Sequence, residues 1–185
     1  KNFLTKRFDR NETGKLHTQT LAAMDREADS YEKLFAVCRK LHLPETDCQE
    51  LFRRMVFNIL ANNTDDHHKN FTFVMNQQGI WRLSPAYDMT YIFDTGGYLP
   101  NKEHCLMIGG KYQDITLDDI ISFASEIGIR APKSIIRKVL LLLVFCTLLG
   151  AAIVYPLWNF ATKAPQVYTV SILVRGMKPV SAPCH

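Results

Sequence analysis

The side chains best suited to chemistry lie in one short segment, NNTDDHHKN, residues 62–70. Two aspartates, two histidines, a lysine and three asparagines occupy eight of its nine positions. Asp65 and Asn70 stand five residues apart, and Asp88 follows beyond the next two apolar runs. A carboxylate can act as a general base, and carboxylate and amide oxygens are ligands that Mg²⁺ prefers. The pattern favours phosphoryl transfer, in which the protein positions a hydroxyl and neutralises phosphate charge.

The same side chains also have structural interpretations. Asp65 could cap the preceding helix or form an Asx turn at its end, and Asp66 could take that role instead. Adjacent histidines rarely bind one metal ion together, so we expect His68 to be a hydrogen-bonded loop residue. Lys69 could contact a phosphate or stay solvated. The five-residue spacing arises often by chance, and the order of loop, hairpin and second aspartate makes it more specific.

Segments on both sides of this loop have the patterns of elements that would hold it. The stretch LPETDCQELFRRMVFNILANN has apolar residues at i, i+1, i+4 and i+5, which predicts an amphipathic helix over 47–62. Thr46 and Gln49 resemble a capping box at its start. Asn62 and Asn63 favour a stop, because asparagine tolerates the left-handed conformation.

The rest of the body predicts a small mixed fold. After the loop, FTFVM and IWRLS flank NQQG, which predicts a β-hairpin that returns the chain to Asp88. Ser30 is expected to cap a second helix and Thr116 a third, which ends at Gly128. A short strand is expected over 3–8. The fold class is therefore mainly α within an α+β architecture, in which helices bury a hairpin too small for its own core.

The composition changes at Val139, within a helix that begins after Pro132. The run VLLLLVFCTLLGAAIVY has 17 residues without a charge, and its apolar character continues through PLWNF. That length suits a transmembrane helix, and the basic residues ahead of it would leave the preceding domain in the cytoplasm. A buried core helix and a reading-frame error are the alternatives. The sequence thus predicts three parts: a lobe over 1–138, an apolar helix over 139–160 and a tail over 161–185.

Charge and cysteine content restrict the function and the location. Three basic and no acidic residues lie from Val139 onward, which leaves 19 basic against 18 acidic side chains ahead of it. A nearly neutral body has no electrostatic footprint for direct nucleic-acid binding. The charged opening KNFLTKRFDR does not resemble a secretory signal, and five cysteines without a C-x-x-C spacing argue against a disulfide framework. We expect a cytoplasmic protein, tethered to the inner membrane if 139–160 spans it.

Several of these stretches together resemble one known family. The run FRRMVFNILANNTDDHHKNFTFVM followed by GIWRLSPAYDMTY resembles the C-terminal lobe of the HipA-like kinases, the toxin kinases of bacterial toxin–antitoxin pairs. KRFDR with GKLHTQTLAAM is similar to the hinge and first helix of that lobe, and EHCLMIGGKYQDITLDDI resembles the stretch after the second aspartate. The resemblance covers about 3–139. It implies a protein-kinase-like C-lobe and a serine/threonine protein kinase that uses ATP and Mg²⁺.

The resemblance also implies roles for single residues. Asp65 matches the general base that takes the proton of a serine hydroxyl, and Asn70 and Asp88 match the Mg²⁺ ligands. The hinge would receive adenine mostly through backbone groups. The implied nucleotide-contacting residues are Lys6, Arg7, Phe8, His67, His68, Lys69, Asn70, Tyr87 and Asp88. The implied partners are a helix-turn-helix antitoxin and a protein substrate such as an aminoacyl-tRNA synthetase, with autophosphorylation as a further reaction.

Departures from the family pattern keep other functions open. The family's Gly-rich loop and strand lysine belong to an N-terminal lobe that would precede Lys1, so we expect this chain by itself to be inactive. One alternative is a non-catalytic kinase lobe that acts as an interaction module. A second alternative is a metal-dependent phosphohydrolase that uses Asp65, His67, Asp88 and His104.

Overall fold

The computed structural model of the protein describes residues 7–12, 14–90 and 103–149. Within these residues the fold is a mixed α/β arrangement of five α-helices and two small antiparallel sheets. The strands are β1 (Arg10–Asn11), β2 (Gly14–Lys15), β3 (His17–Thr20), β4 (Thr72–Met75) and β5 (Trp81–Leu83). The helices are α1 (Leu21–Met24), α2 (Tyr31–Lys40), α3 (Glu45–Leu60), α4 (Leu117–Glu126) and α5 (Pro132–Leu149).

The larger sheet has the order β3-β4-β5, with β4 in the centre. The predicted hairpin is confirmed as β4 and β5, which pair from Phe73 with Leu83 to Met75 with Trp81. Strand β3 was not predicted, because HTQT is polar and lies against a helix-like run. It pairs with β4 from His17 with Met75 to Thr20 with Thr72, so its position is set by a partner far away in the chain.

The strand expected over 3–8 lies mostly outside the described residues. At its end the expectation is wrong, because Phe8 and Asp9 form a turn rather than strand. Pairing begins two residues later, where Arg10 faces Lys15 across the two-stranded ribbon of β1 and β2. The described part of the hinge-like segment therefore contains a turn at Phe8 and Asp9 that leads into a short ribbon.

Local sequence signals fix most helix ends. The Ser30 hydroxyl accepts the Lys33 N–H at 3.2 Å and caps α2. Thr116 and Asp119 form a complete capping box on α4, and Gly128, with φ of 78°, follows that helix. Asn62 adopts φ of 51° after α3, as the sequence predicts.

The predicted capping box of α3 is wrong. The helix begins at Glu45, and its N-cap Pro44 has no side-chain hydrogen bond. Thr46 lies inside the first turn, where its hydroxyl is 3.4 Å from Asp47 Oδ1. Gln49 Nε2 donates to Glu45 Oε1 at 3.0 Å instead of reaching the backbone. The pattern S/T-x-x-E/Q therefore occurs here two residues too late to act as a cap.

One hydrophobic core joins the helices to the sheet. The apolar stripes of α2 and α3 meet Phe73 from β4, and Phe35 of α2 contacts Phe123 of α4 edge to face at 5.6 Å. Tyr31 contacts Phe71 in the same way, at 5.9 Å between ring centroids. Burial on this scale is the main favourable term that holds the loop between α3 and β4 in one place.

Helix α5 runs without a break across the predicted boundary after Lys138. Ile135, Ile136 and Val139 are buried against the core, and α5 packs on α3 and α4. Leu140 and Leu141 of the same helix are exposed. Among the described residues, no helix combines the length and apolar character that crossing a membrane requires. The expected span over 139–160 continues past Leu149, outside those residues.

The cysteines occupy different environments. Cys38 and Cys48 carry free thiols, and burial raises the pKa of the Cys38 thiol, which makes it an unreactive core residue. Cys105 takes part in a disulfide. Cysteine number and spacing therefore did not predict the state of Cys105.

A buried carboxylate ties the start of α3 to the hairpin. Asp47 accepts two hydrogen bonds from Arg82, from Nε and Nη2, each at 2.8 Å. It also accepts the backbone N–H of Leu83 at 2.9 Å. Because α3 precedes the polar loop and the hairpin follows it, this contact fixes both supports of the loop relative to each other.

We expect Asp47→Ala to lower the free energy of unfolding by about 2–3 kcal/mol, because the Leu83 N–H loses its acceptor and a charged hydrogen bond is removed. Urea denaturation followed by circular dichroism measures the change. Glu45→Ala is the matched control, since Glu45 is an exposed acid in the same helical turn and its loss should cost less than about 1 kcal/mol. Equal losses of unfolding free energy in the two variants would contradict the proposed role of Asp47 in joining α3 to the hairpin.

Candidate functional site

The polar loop starts where α3 ends and closes in a single 3₁₀ turn. Asn62 turns the chain away from the helix axis, and His68–Asn70 form the 3₁₀ turn that leads into β4. The Asn70 N–H donates to the His67 carbonyl at 2.9 Å, which closes this turn. The loop is therefore held between a packed helix and the central strand of the sheet.

Two consecutive aspartates in this loop have opposite environments. The Asp65 side chain is 56% exposed, whereas the Asp66 side chain is fully buried. Asp65 is thus available to a substrate. Asp66 is directed into the protein, in agreement with the interpretation that it serves the structure of the loop.

Asn70 is bonded to the backbone of the residue that carries the predicted base. Its Nδ2 donates to the Asp65 carbonyl oxygen at 2.9 Å. A carbonyl oxygen can only accept, so the amide nitrogen faces Asp65 and the amide oxygen Oδ1 is left for another partner. This hydrogen bond closes a small loop, and the five-residue spacing of Asp65 and Asn70 is the length of chain that the loop contains.

Asp88 reaches the same region from beyond the hairpin. Asn70, Tyr87 and Asp88 line one small pocket, whose wall also includes Arg54 and Asn58. Asp88 is exposed and adopts φ of 54°, a left-handed conformation that few residues other than glycine occupy. Aspartate adopts this conformation more readily than most residues, because its short polar side chain can hydrogen-bond locally.

The charges of the two predicted carboxylates influence each other. Partial burial raises the pKa of Asp65, and the negative charges of Asp88 and Asp66 raise it further, whereas His67 lowers it. His67 Nε2 lies 3.7 Å from Asp65 Oδ1. The two exposed carboxylates therefore lie close enough to repel, an arrangement that a cation between them would relieve.

The donor atoms suit a hard cation. The Asn70 amide oxygen and the Asp88 carboxylate are oxygen ligands, and Mg²⁺ commonly takes only one or two such protein ligands beside water and phosphate. Within the described parts of the chain, no three side chains of His, Cys, Asp or Glu form a group able to hold a metal ion. The four-residue set expected for a phosphohydrolase is not assembled, because His104 is buried against Asp66.

The segments expected to contact a nucleotide meet at Tyr87. Its ring stacks on Phe8, with centroids 5.9 Å apart and planes inclined by 21°. Its hydroxyl donates to the Lys69 carbonyl at 2.7 Å and bonds the Thr72 hydroxyl. Burial raises the pKa of Tyr87, so the phenol stays protonated. Tyr87 thus connects the hinge-like turn, the polar loop and the segment that carries Asp88.

The remaining predicted side chains are peripheral or engaged elsewhere. Arg7 is directed to Asp9, with Nε to Oδ1 at 2.7 Å and Nη2 to Oδ2 at 2.6 Å. This hydrogen-bonded pair lowers the pKa of Asp9 and raises that of Arg7. Lys69 is exposed. Burial lowers the pKa of His68, which favours the neutral imidazole. Lys6 lies outside the described residues.

The partners of Asp66 were not predicted from the sequence. Its carboxylate accepts the Tyr31 hydroxyl at 2.6 Å and the Cys105 N–H at 2.8 Å. His104 Nδ1 lies 3.1 Å from the same carboxylate. These partners are 35 to 39 residues away in the chain, and no local pattern in the sequence predicts them.

Comparison with known proteins identifies relatives of this chain. The model of the HipA-like C-terminal domain family matches residues 1–144. The serine/threonine-protein kinase toxin HipA of Shewanella oneidensis is 33% identical over 67 residues, which are 36% of this chain and 15% of that protein. Two Sinorhizobium fredii proteins provisionally named as kinases, Y4dM and Y4mE, are 33% and 28% identical over 45% and 56% of this chain. These matches span 22% and 24% of those proteins, so the chain covers less than a quarter of each relative.

The pKa of Asp65 provides a test of the site's electrostatics. Asp88→Asn should lower the pKa of Asp65 toward its ordinary value, because one of the negative charges that raise it is removed. Carbon-detected NMR titration of the Asp65 carboxyl measures the shift. Asp118→Asn on α4 is the control and should leave that pKa unchanged.

The same titration has a consequence for stability. The pKa of Asp65 in the folded protein lies above its pKa in the unfolded chain. The stability that Asp65 contributes is therefore present at pH values below the unfolded-state pKa, and it is lost as the pH rises through the folded-state pKa. Asp88→Asn should reduce this pH-dependent loss of stability. An Asp65 pKa that does not respond to Asp88→Asn would show that the two carboxylates do not share a site.

Proposed function

Because the chain belongs to the HipA-like C-terminal domain family, we propose that it is the catalytic lobe of a serine/threonine protein kinase. In this proposal the lobe has the protein-kinase-like C-lobe fold and transfers the γ-phosphoryl group of ATP to a protein serine. The observation that carries the proposal is the convergence of Asp65, Asn70 and Asp88. The Asn70 amide binds the backbone of Asp65, and Asn70 and Asp88 line one pocket.

Asp65 is proposed as the general base. Its exposed carboxylate can accept the proton of the attacking hydroxyl while Asn70 holds its backbone in place. The raised pKa of Asp65 makes the carboxylate a stronger proton acceptor than an ordinary aspartate. Positioning of this kind is most of what a protein contributes to phosphoryl transfer, since little covalent chemistry falls to its side chains.

Asn70 and Asp88 are proposed to hold Mg²⁺. When bound there, the cation would neutralise charge on the ATP phosphates. The protein's part is to present the amide oxygen of Asn70 and the carboxylate of Asp88 at one pocket. The repulsion between Asp65 and Asp88 in the free protein supports a cation as the ligand of this region.

The nucleotide is proposed to lie between the hinge-like turn and the polar loop. Backbone groups of residues 6–8 would receive adenine, beside the Phe8 and Tyr87 stack. His67, His68 and Lys69 lie along the loop that would face the phosphates. The side chain of Arg7 is bound to Asp9, which supports a backbone role for this residue rather than a side-chain contact.

The wider biological role is proposed from the relatives. The Shewanella oneidensis protein is named a kinase toxin, and the corresponding role here would be that of a toxin in a toxin–antitoxin pair. We propose a helix-turn-helix antitoxin as the partner, an aminoacyl-tRNA synthetase as the class of protein substrate, and the cytoplasm as the location. Autophosphorylation is proposed as a second reaction.

Nucleotide binding by this chain tests the proposal. Asp88→Ala should weaken Mg²⁺-dependent binding of a fluorescent ATP analogue by about tenfold or more, because a metal ligand is lost. Asp65→Ala should leave that binding within about twofold but reduce phosphate transfer by about 10²–10⁴-fold, as expected for loss of a general base. Transfer is measured in this chain preceded by the N-terminal lobe of a family kinase.

Asp118→Ala serves as the control, since Asp118 is an exposed aspartate on α4. Unchanged transfer by Asp65→Ala would remove the assignment of the base. If the unmodified chain shows no Mg²⁺-dependent nucleotide binding, an interaction module without catalysis becomes the better description.

A further inference from the structure

A continuous line of hydrogen bonds runs under the site from the polar loop to the segment beyond Asp88. We call it the polar chain, and its members in order are Asp66, Tyr31, Asn58, Asn63 and Thr90. The first four are almost completely buried, and Thr90 is half-buried. Its two ends adjoin the site, because Asp66 follows Asp65 and Thr90 lies two residues after Asp88.

Every bond of the polar chain points in the same direction. The Tyr31 hydroxyl donates to Asp66 at 2.6 Å and accepts Asn58 Nδ2 at 3.1 Å. Asn58 Oδ1 accepts Asn63 Nδ2 at 3.0 Å. Asn63 Oδ1 then accepts the Thr90 hydroxyl at 2.9 Å.

This direction makes the five side chains one unit. Each amide uses its nitrogen toward Asp66 and its oxygen toward Thr90, so neither amide can flip without leaving a buried partner unsatisfied. The orientation fixed by the Asp66 carboxylate at one end therefore determines which atom meets Thr90 at the other end. Buried networks that are fully satisfied in this way are rigid and act together.

Asp88 needs such support. Its left-handed φ of 54° is one of several backbone conformations open to an aspartate, so neighbouring contacts decide which one this segment adopts. On one side, Tyr87 is bonded to the Lys69 carbonyl and stacks on Phe8. On the other side, the Thr90 hydroxyl bond holds the chain to Asn63, which belongs to the same loop as Asp65.

We propose that the polar chain is a positioning device that sets the placement of Asp88 relative to Asp65. The inference rests on the proposed function, because it assigns the residues that keep the proposed base and the proposed metal ligand in register. None of the five side chains is proposed to touch substrate. They act through the backbone on either side of the pocket.

Thr90→Val tests the proposal in this chain. Valine keeps the shape of threonine but removes the hydroxyl, so the link to Asn63 is lost. The Mg²⁺ concentration that gives half-maximal binding of N-methylanthraniloyl-ATP should rise by about tenfold, the order seen when outer partners of a metal site are removed. Affinity for the same probe without Mg²⁺ should change by less than about twofold, because the polar chain supports the metal ligand only.

Hydrogen–deuterium exchange gives a second readout that needs neither nucleotide nor metal. Amides of residues 86–90 should exchange faster in Thr90→Val than in the unmodified chain, since the segment loses its tie to Asn63. Thr46→Val is the matched control, because Thr46 is an exposed threonine at the opposite end of α3. That control should behave like the unmodified chain in both measurements.

Two further variants keep the outcome decisive. Thr90→Ser retains a hydroxyl and should restore the Mg²⁺ dependence of the unmodified chain. Tyr31→Phe interrupts the polar chain at its second member while keeping the ring that contacts Phe71, and should shift the Mg²⁺ dependence in the same direction as Thr90→Val. Tyr31→Phe also supplies the answer if Thr90→Val does not fold.

The results separate this inference from the proposed function. If the unmodified chain binds the nucleotide with a clear Mg²⁺ dependence and both Thr90→Val and Tyr31→Phe leave that dependence unchanged, the positioning role is wrong and the proposed function stands. If the unmodified chain shows no Mg²⁺ dependence, the proposed function fails and the positioning role fails with it. If Thr90→Ser changes the Mg²⁺ dependence as much as Thr90→Val does, the hydroxyl is not what matters, and the polar chain contributes only to packing.

Discussion

The polar loop and its surroundings depend on one interaction centre, the buried carboxyl group of Asp66. An ionised carboxylate without water is very costly unless hydrogen bonds replace its hydration, and here a hydroxyl, a backbone N–H and an imidazole nitrogen do so. These partners come from α2 and from the segment at His104 and Cys105. A single anion therefore gathers three parts of the chain that lie far apart in sequence, and the loop that carries it cannot move without breaking all three contacts.

This arrangement gives neighbouring aspartates different tasks. Asp66 is buried and serves as an anchor, while the Asp65 side chain is exposed and has a raised pKa. The same loop is closed by the bond from Asn70 to the Asp65 carbonyl, and α3 and the hairpin that support it are joined through Asp47. Rigid supports and an exposed reactive group are the usual design of a site that depends on geometry.

The sequence predicted the features that local chemistry decides. Ser30 and Thr116 cap their helices because a hydroxyl meets free N–H groups, and Asn62 ends α3 because asparagine tolerates a positive φ. Strand β3 was missed because its pairing partner, β4, follows more than fifty residues later. The capping box at Thr46 failed because the helix already begins at Glu45, directly after its N-cap Pro44. Of the predicted residues, Asn70 and Asp88 line one pocket, and Asn70 is bonded to the Asp65 backbone. The partners that hold these segments in place depend on long-range contacts that no local pattern encodes.

The bond between Asn70 and the Asp65 carbonyl limits which amino acid can stand at position 70. A carboxylate would bind a cation more strongly than an amide does, so aspartate looks like the better ligand. Aspartate, however, has no N–H, and its charge would face the Asp65 carbonyl oxygen at the place where Asn70 now donates. The amide is suited to this position because its two ends differ, with a donor for the loop and an acceptor for the pocket. The choice of residue here is set by closure of the loop as much as by affinity for the ligand.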